Sequence, residues 1–322
     1  MKPLFVFAVM LVLVSCESWA PSNEDVLQSP NVSNGQLAAR YFGASTILIS
    51  DGEHSVLIDG FFSRPGKLYA MKHGINSLEA SIQEIMNFNN IKEVDVLLLS
   101  HAHYDHILDS GRVAYLKDSI VIGSNLAIKK MSENVNGRGG ELKVFPVEVM
   151  PDDFPLVPFN IKYFKTPHAP KSFLMQGIEY LYLHKSDGLN YREEGDNYSF
   201  LIQHPLGKIL VVPSAGFSEG MLQDIEDVDV VFLSVGLLGK QSCSYIKKYW
   251  SETVEKTGAK VVIPIHWDNL SGQSLKPTLW PVDNLSKTFE IFQKLADKNE
   301  SVSLKLPGKF GELFRLDHLY RN

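Results

Sequence analysis

The sequence predicts an α/β fold in which two β-sheets are flanked by helices. Short strand-like apolar runs recur along nearly the whole chain and are interleaved with helix-like runs, the pattern of sheets covered by helices. The 322 residues are enough to bury a sizeable core, as one large domain or two similar halves. No low-complexity tract or short-period repeat points to an array.

The chain opens with a short positive start, Met1-Lys2, and an apolar stretch from Pro3 to Val14. That stretch is too short to span a bilayer, which takes about 20 apolar residues. Leu13-Val14-Ser15-Cys16 resembles a bacterial lipobox, which implies cleavage before Cys16, lipidation of that cysteine and a place on the cell envelope. An ordinary cleaved signal peptide is the alternative. Glu17 stands where an aspartate commonly retains such proteins at an inner membrane, which favours an outer membrane where one exists. Residues 17 to 36, rich in Ser, Asn, Pro and acids, read as a flexible tether. The expected organisation is a signal peptide over 1–15, a tether over 16–36 and the folded domain over 37–322.

Within that domain, apolar runs predict strands at 45–49, 54–59, 95–100, 119–123, 142–146, 160–165, 198–203, 208–213, 229–234, 260–265 and 301–305. VDVLLLS (94–100) is continuously apolar rather than alternating, as a strand buried on both faces should be. Helices are predicted at 77–88, 124–133, 219–225, 242–257 and 283–297, the last announced by Pro281 and Asp283. The formal net charge of −6 and the absence of a basic run argue against an electrostatically driven nucleic-acid binder. If Cys16 is lipidated, Cys243 is the only thiol left and no internal disulfide can form. Stability must then come from packing.

The chemistry concentrates at His101-Ala-His103-Tyr-Asp105-His106, directly after the buried run that ends at Ser100. A loop held by a rigid strand is where ligands are usually placed. Alternate residues at a strand exit point the same way, so His101 and His103 can offer nitrogens to one metal while Asp105 and His106 turn toward a second. Imidazole and carboxylate without thiolate suit zinc, iron or manganese. The alternative is a polar turn whose histidines merely cap a following helix.

This cluster is the HxHxDH pattern, and with it the sequence resembles the metallo-β-lactamase superfamily. The resemblance extends from ARYFGASTILISDGEHSVLIDGF (39–61) through FKTPHAP and VVIPIHWDN, and covers about residues 37 to 306. It implies an αββα four-layer sandwich and a metal-dependent hydrolase. It also implies that His168 completes a first metal site with His101 and His103, and that His266 joins Asp105 and His106 at a second. Zinc, two ions per chain, is the implied cofactor. Such metals lower the pKa of bound water toward ~7, with Asp105 both binding metal and orienting the hydroxide. Asp59, at the end of SVLID, matches a family aspartate that could hold a ligand histidine by its second nitrogen; a turn-initiating Asp-Gly is the competing reading.

One position departs from the family. After KILVV, where most two-metal members carry a bridging aspartate, this chain has Ser214. The loss of that charge leaves three outcomes: a second metal held by Asp105, His106 and His266 alone, weak binding there, or a one-metal site. The first is favoured because all three remaining donors are present. Asp268 is a candidate replacement for the lost carboxylate, with a solvated or supporting role preferred.

Substrate contacts are less legible. The insertion at 171–197, with Tyr180, Tyr182, His184, Lys185, Tyr191 and Arg192, reads either as an active-site lid or as a surface hairpin. Residues 61–74 read as a second rim loop with Arg64, Lys67 and His73 as substrate contacts. His54, His204 and His318 lack a partner pattern and read as surface or packing residues. The leading expectation is hydrolysis of a small-molecule or lipid-like ester, lactone or phosphodiester. A β-lactamase of the subclass with serine at the bridging position, a non-catalytic metal-binding lipoprotein and an iron oxidoreductase are the alternatives.

Overall fold

Two seven-stranded mixed sheets face one another in the computed structural model. It describes residues 31–319 except 67–69, 71, 136–140, 152, 171–192, 272–277, 280 and 282. The segments at 1–30 and 171–192, carrying the lipobox and the six named insertion residues, lie outside the described residues, as does Lys67.

The first sheet takes β1 (Ala38–Tyr41), β2 (Ile47–Ser50), β3 (Ser55–Ile58), β4 (Val96–Leu98), β5 (Ile120–Gly123) and β6 (Lys143–Pro146). The second takes β7 (Asp153–Leu156), β8 (Phe159–Thr166), β9 (Asn197–His204), β10 (Gly207–Val212), β11 (Val230–Ser234), β12 (Val261–Ile265) and β13 (Ser303–Leu304). The chain then returns, and β14 (Glu312–Arg315) pairs antiparallel with β1 at the edge of the first sheet. Residues beyond 306 are therefore integral to the fold.

The central strands β2, β3 and β4 of the first sheet are buried on both faces, and their residues show why. Ile47, Ile49, Val56, Ile58, Val96 and Leu98 enter the core between the sheets, whereas Leu48, Leu57, Leu97 and Leu99 enter a second core beneath helices. Successive side chains on a strand point to opposite faces, so a strand covered on both must be apolar throughout. The outer core is closed by α1 (Glu79–Phe88), which supplies Ile82, Ile85 and Met86. The one-turn α2 (Tyr104–Ile107) leads into α3 (Ser110–Lys117) and α4 (Asn125–Val135), which add Ile107, Val113, Ala114, Ala127 and Met131. On the second sheet's side, α5 (Cys243–Trp250) and α6 (Leu285–Ala296) contribute Ile246, Tyr249, Trp250 and Phe292. Each of these two helices is capped by a side chain: Ser242 accepts from Tyr245 N, and Asn284, one residue after the expected start signal Asp283, accepts from Lys287 N, caps worth about 1 kcal/mol apiece.

The helix predicted at 219–225 is instead a run of turns; Gly220 takes φ +75°, which a helix cannot accommodate. Conversely, α2 and α3 were not expected: a single turn carries no periodicity, and Ser110-Gly111 is a weak helix start. Strands β7 and β14 also went unread, being short and, in β7, interrupted by Pro155. The helix at 242–257 runs as α5 to Trp250 and continues as a π-helix over Ser251–Glu255.

Candidate metal centre

Five strand ends frame the site, three of them carrying the donors. His101 follows β4, His168 follows β8, Ser214 follows β10 and His266 follows β12, while Asp59 follows β3 beside β4. In sheets with parallel strands, ligand-carrying loops gather at the carboxyl ends. The donors form two groups, His101 with His103 and His168, and Asp105 with His106 and His266. Within each group the ligand atoms lie within 4.8 Å of one another.

In the first group His101 Nε2 and His103 Nδ1 approach to 2.9 Å. His103 occupies the N-cap position of α2, yet its side chain makes no capping hydrogen bond, so the helix-cap alternative does not describe it. His168 Nδ1 faces the carbonyl of Ala169 at 2.9 Å. A carbonyl only accepts, so Nδ1 carries the proton there and Nε2 is left as the donor atom. Prolines at 167 and 170 flank this loop, and Gly216 packs against it so closely that a β-carbon would lie 2.3 Å from the carbonyl oxygens of Pro167 and His168.

The second group is built around Asp105. Its Oδ2 lies 3.2 Å from His266 Nε2 and 3.5 Å from His106 Nε2. Asp105 and His106 sit together on α2, and both are buried. The outer nitrogen of His106 is held by Asp59, whose Oδ2 is 2.7 Å from Nδ1. Asp59 is wholly buried and also accepts from Ser100 N at 2.7 Å, Ser100 Oγ at 2.8 Å and Ser45 Oγ. Asp59 takes φ +53° as well, but no turn forms at Asp59-Gly60, whose amides bind the carbonyls of Leu98 and His106.

Burial and neighbouring charges tune these groups toward metal binding. Burial pushes His101 well below the ordinary imidazole pKa, reinforced by the facing His106 and His103, so it is neutral. Burial alone would raise Asp105, but His106 and His266 outweigh it and hold the carboxyl well below the usual carboxylate range. Burial likewise lowers His266, yet the hydrogen bond and charge of Asp105 leave it raised overall. A neutral His101 and an ionised Asp105, with outer nitrogens occupied at His106 and His168, make a donor set that fits a divalent cation, which would displace the proton favoured at His266.

Several expected roles change. Asp268 is neither solvated nor a bridging carboxylate: it has no exposed surface, belongs to neither donor group, and is bound by Tyr41, Ala44 N and Arg64. Arg64 is not a substrate contact, since it is 4% exposed and paired with Asp268 at 2.7 Å. Ser214 is buried, and its Oγ accepts from Ala169 N at 3.0 Å, which ties it to the loop that carries His168.

Glu194 was not singled out by sequence. Its Oε2 lies 3.6 Å from both His103 Nε2 and His168 Nδ1, facing the outer nitrogens of two rings of the first group. Its backbone is anchored, the carbonyl accepting from Ala102 N at 2.9 Å. The acidic run Glu193-Glu194 just before β9 was its only signal.

A family model described as a β-lactamase superfamily domain matches residues 39–266. YhfI from Bacillus subtilis, a metallo-β-lactamase fold protein, is 14% identical over 86% of this chain and 99% of its own, with a TM-score of 0.54. Igni18, a metallo hydrolase from the hyperthermophilic archaeon Ignicoccus hospitalis, is 15% identical over 87% of this chain and 97% of its own, with a TM-score of 0.51. CmlA, a diiron β-hydroxylase from Streptomyces venezuelae, is 12% identical over 88% of this chain and 55% of its own, with a TM-score of 0.53. No curated protein sequence matches the chain. At these identities the structural likeness shows the fold: an α/β sandwich of two mixed sheets between helices.

Proposed function

The chain belongs to the metallo-β-lactamase superfamily, and on that footing we propose that it is a metal-dependent hydrolase of a small-molecule or lipid-like ester, lactone or phosphodiester. The observation that carries the reading is the convergence of two three-residue donor groups, His101/His103/His168 and Asp105/His106/His266, from three strand ends. Bound zinc, two ions per chain, would supply Lewis acidity and lower the pKa of water toward ~7.

The chain's own residues do the rest. Asp105, held ionised between His106 and His266, is placed to orient the attacking water. Asp59 holds His106 with Nδ1 outward, leaving Nε2 toward Asp105. His101, neutral at working pH, keeps its nitrogen available. Ser214 offers a hydroxyl where a carboxylate would add charge, so Asp105 is the only anionic donor in the second group.

Metal analysis of the purified protein, run on the same sample as a hydrolysis panel of esters, lactones and phosphodiesters, tests the reading. Zinc with turnover of one substrate class is expected. Bound metal without turnover across the panel favours a metal-binding role instead. Iron in place of zinc would favour redox chemistry, because CmlA, a diiron β-hydroxylase, shares the fold. Ser214 favours a second reading, a β-lactamase, for which efficient turnover of a chromogenic cephalosporin is the test. We further propose that Cys16 anchors the domain to a bacterial envelope membrane; absence of lipid label on Cys16 in a bacterial host would refute this.

A further inference from the structure

His266 takes φ +61°, a backbone conformation costly for a residue with a β-carbon, and such strain persists only where the surroundings impose it. The surroundings are a chain of hydrogen bonds. His266 N donates to Tyr41 Oη at 2.9 Å, and Tyr41 Oη donates to Asp268 Oδ1 at 2.6 Å. Ala44 N donates to the same oxygen at 2.8 Å, while Asp268 Oδ2 accepts from Arg64 Nη1 at 2.7 Å. Arg64 also donates to the carbonyls of Asn269 and Phe42, and lies 5.0 Å and 4.6 Å from the ring centroids of Phe61 and Phe310. Tyr41 and Asp268 have no exposed surface.

We infer that Tyr41, Asp268 and Arg64 are positioning residues for His266, a buried relay that sets the backbone, and through it the ring, of the one second-group donor that arrives from the second sheet. The inference rests on the metal-centre reading. The direction of the relay follows from donor chemistry. An ionised carboxylate only accepts and a guanidinium only donates, so the tyrosine must spend its proton on Asp268 and keep a lone pair for His266 N. A charge pair so deeply buried is a poor route to stability, because well-packed apolar residues often do as well. What it does provide is direction. It ties the ends of β1 and β12 and the loop after β3 to a single point beside the donors. Two apparent candidates for chemistry, Arg64 and Asp268, are thereby turned away from the donor atoms.

Tyr41→Phe removes one oxygen and keeps the ring that packs on Trp267 and Phe310. In the full chain, two quantities are read: hydrogen exchange at the His266 amide, and stepwise Zn²⁺ affinity by competition with a chromophoric chelator. The amide should exchange at least about 10-fold faster while Val261–Ile265 hold their wild-type protection, and the weaker zinc equivalent should loosen by about 10- to 100-fold with the tighter one unchanged. Arg64→Lys, which keeps the charge but loses the fork, should shift both in the same direction by less; it also serves as the folded variant should Tyr41→Phe not fold. Wild-type zinc affinity in these variants overturns the inference, even with faster exchange, because the relay would then be structural only. A wild-type chain without zinc affinity would instead sink the metal-centre reading. In that case faster exchange at His266 still upholds the relay, and unchanged exchange sinks it too.

Discussion

The two donor groups differ less in their ligands than in what stands behind them. In the first group His101 Nδ1 lies 3.1 Å from the buried Ser100 Oγ, whereas His103 and His168 are steadied nearer the periphery, by the Ala169 carbonyl and by Glu194, which is 39% exposed at its side chain. Asp105, His106 and His266 are steadied from the interior, with Asp59 behind one ring and the Tyr41–Asp268–Arg64 relay behind the other. Buried polar groups interact through a lower dielectric than exposed ones, so the interior supports hold geometry more tightly and cost more to break. The second group lacks a carboxylate at position 214 and has Asp105 as its sole anion, which makes fixed geometry more important there.

Deleting a donor is expected to have the largest effect. His103→Ala should lower activity by more than the roughly 100-fold that loss of an outer partner costs, and should remove one metal equivalent; unchanged metal content and turnover would refute its place in the first group. Asp59→Ala comes next, with metal affinity falling about 10- to 100-fold. Because it also orphans the buried Ser100 N, it should cost about 1–3 kcal/mol in denaturant melts. A variant as stable and as avid as wild type would contradict the claim that interior supports matter more.

Ser214→Asp probes the missing charge, and the metal-to-protein ratio should rise toward two at a buffered free zinc concentration that leaves the wild-type second site partly filled. No change in ratio would place Ser214 outside the metals' reach. Glu194→Gln should be milder, near the lower end of that 10- to 100-fold range and diminishing with added salt, since its carboxylate is partly exposed. An effect as large as that of Asp59→Ala would erase the contrast between the groups.

The smallest effect is in the pH dependence of the metal-free protein. His101 has a depressed folded pKa, so its contribution is present above the unfolded value near about 6.5 and is lost as pH falls through the folded one. His266 has a raised folded pKa, so its contribution is present below about 6.5 and is lost as pH rises through the folded one. Melting temperature should therefore peak near that pH, and zinc, by replacing the proton at His266, should flatten the alkaline side. A monotonic curve would mean that one group alone governs the titration.

Much of this centre was legible in the sequence because its donors are local. Four of the six sit within six residues after an apolar run, and the other two end apolar runs of their own, so residue type and strand pattern locate them. Asp59 was half legible, since the sequence could place it near a ligand histidine or in an Asp-Gly turn, and only the 2.7 Å contact with His106 separates the two. The identity of Arg64 misled, since a charged residue beside a site reads as a substrate contact, and only a distance of 2.7 Å across 204 positions reveals that it binds Asp268, whose supporting role was legible but not its partner. Glu194 escaped for the same reason.

The sequence by itself determined which residues are the candidate donors and that two sheets flanked by helices would present them, since residue type and periodicity are properties of the chain read one segment at a time. Only the tertiary structure decided which groups support which donors and which charges are withdrawn into the core. Those relations join segments far apart in sequence, and their strength comes from burial, which no single segment possesses.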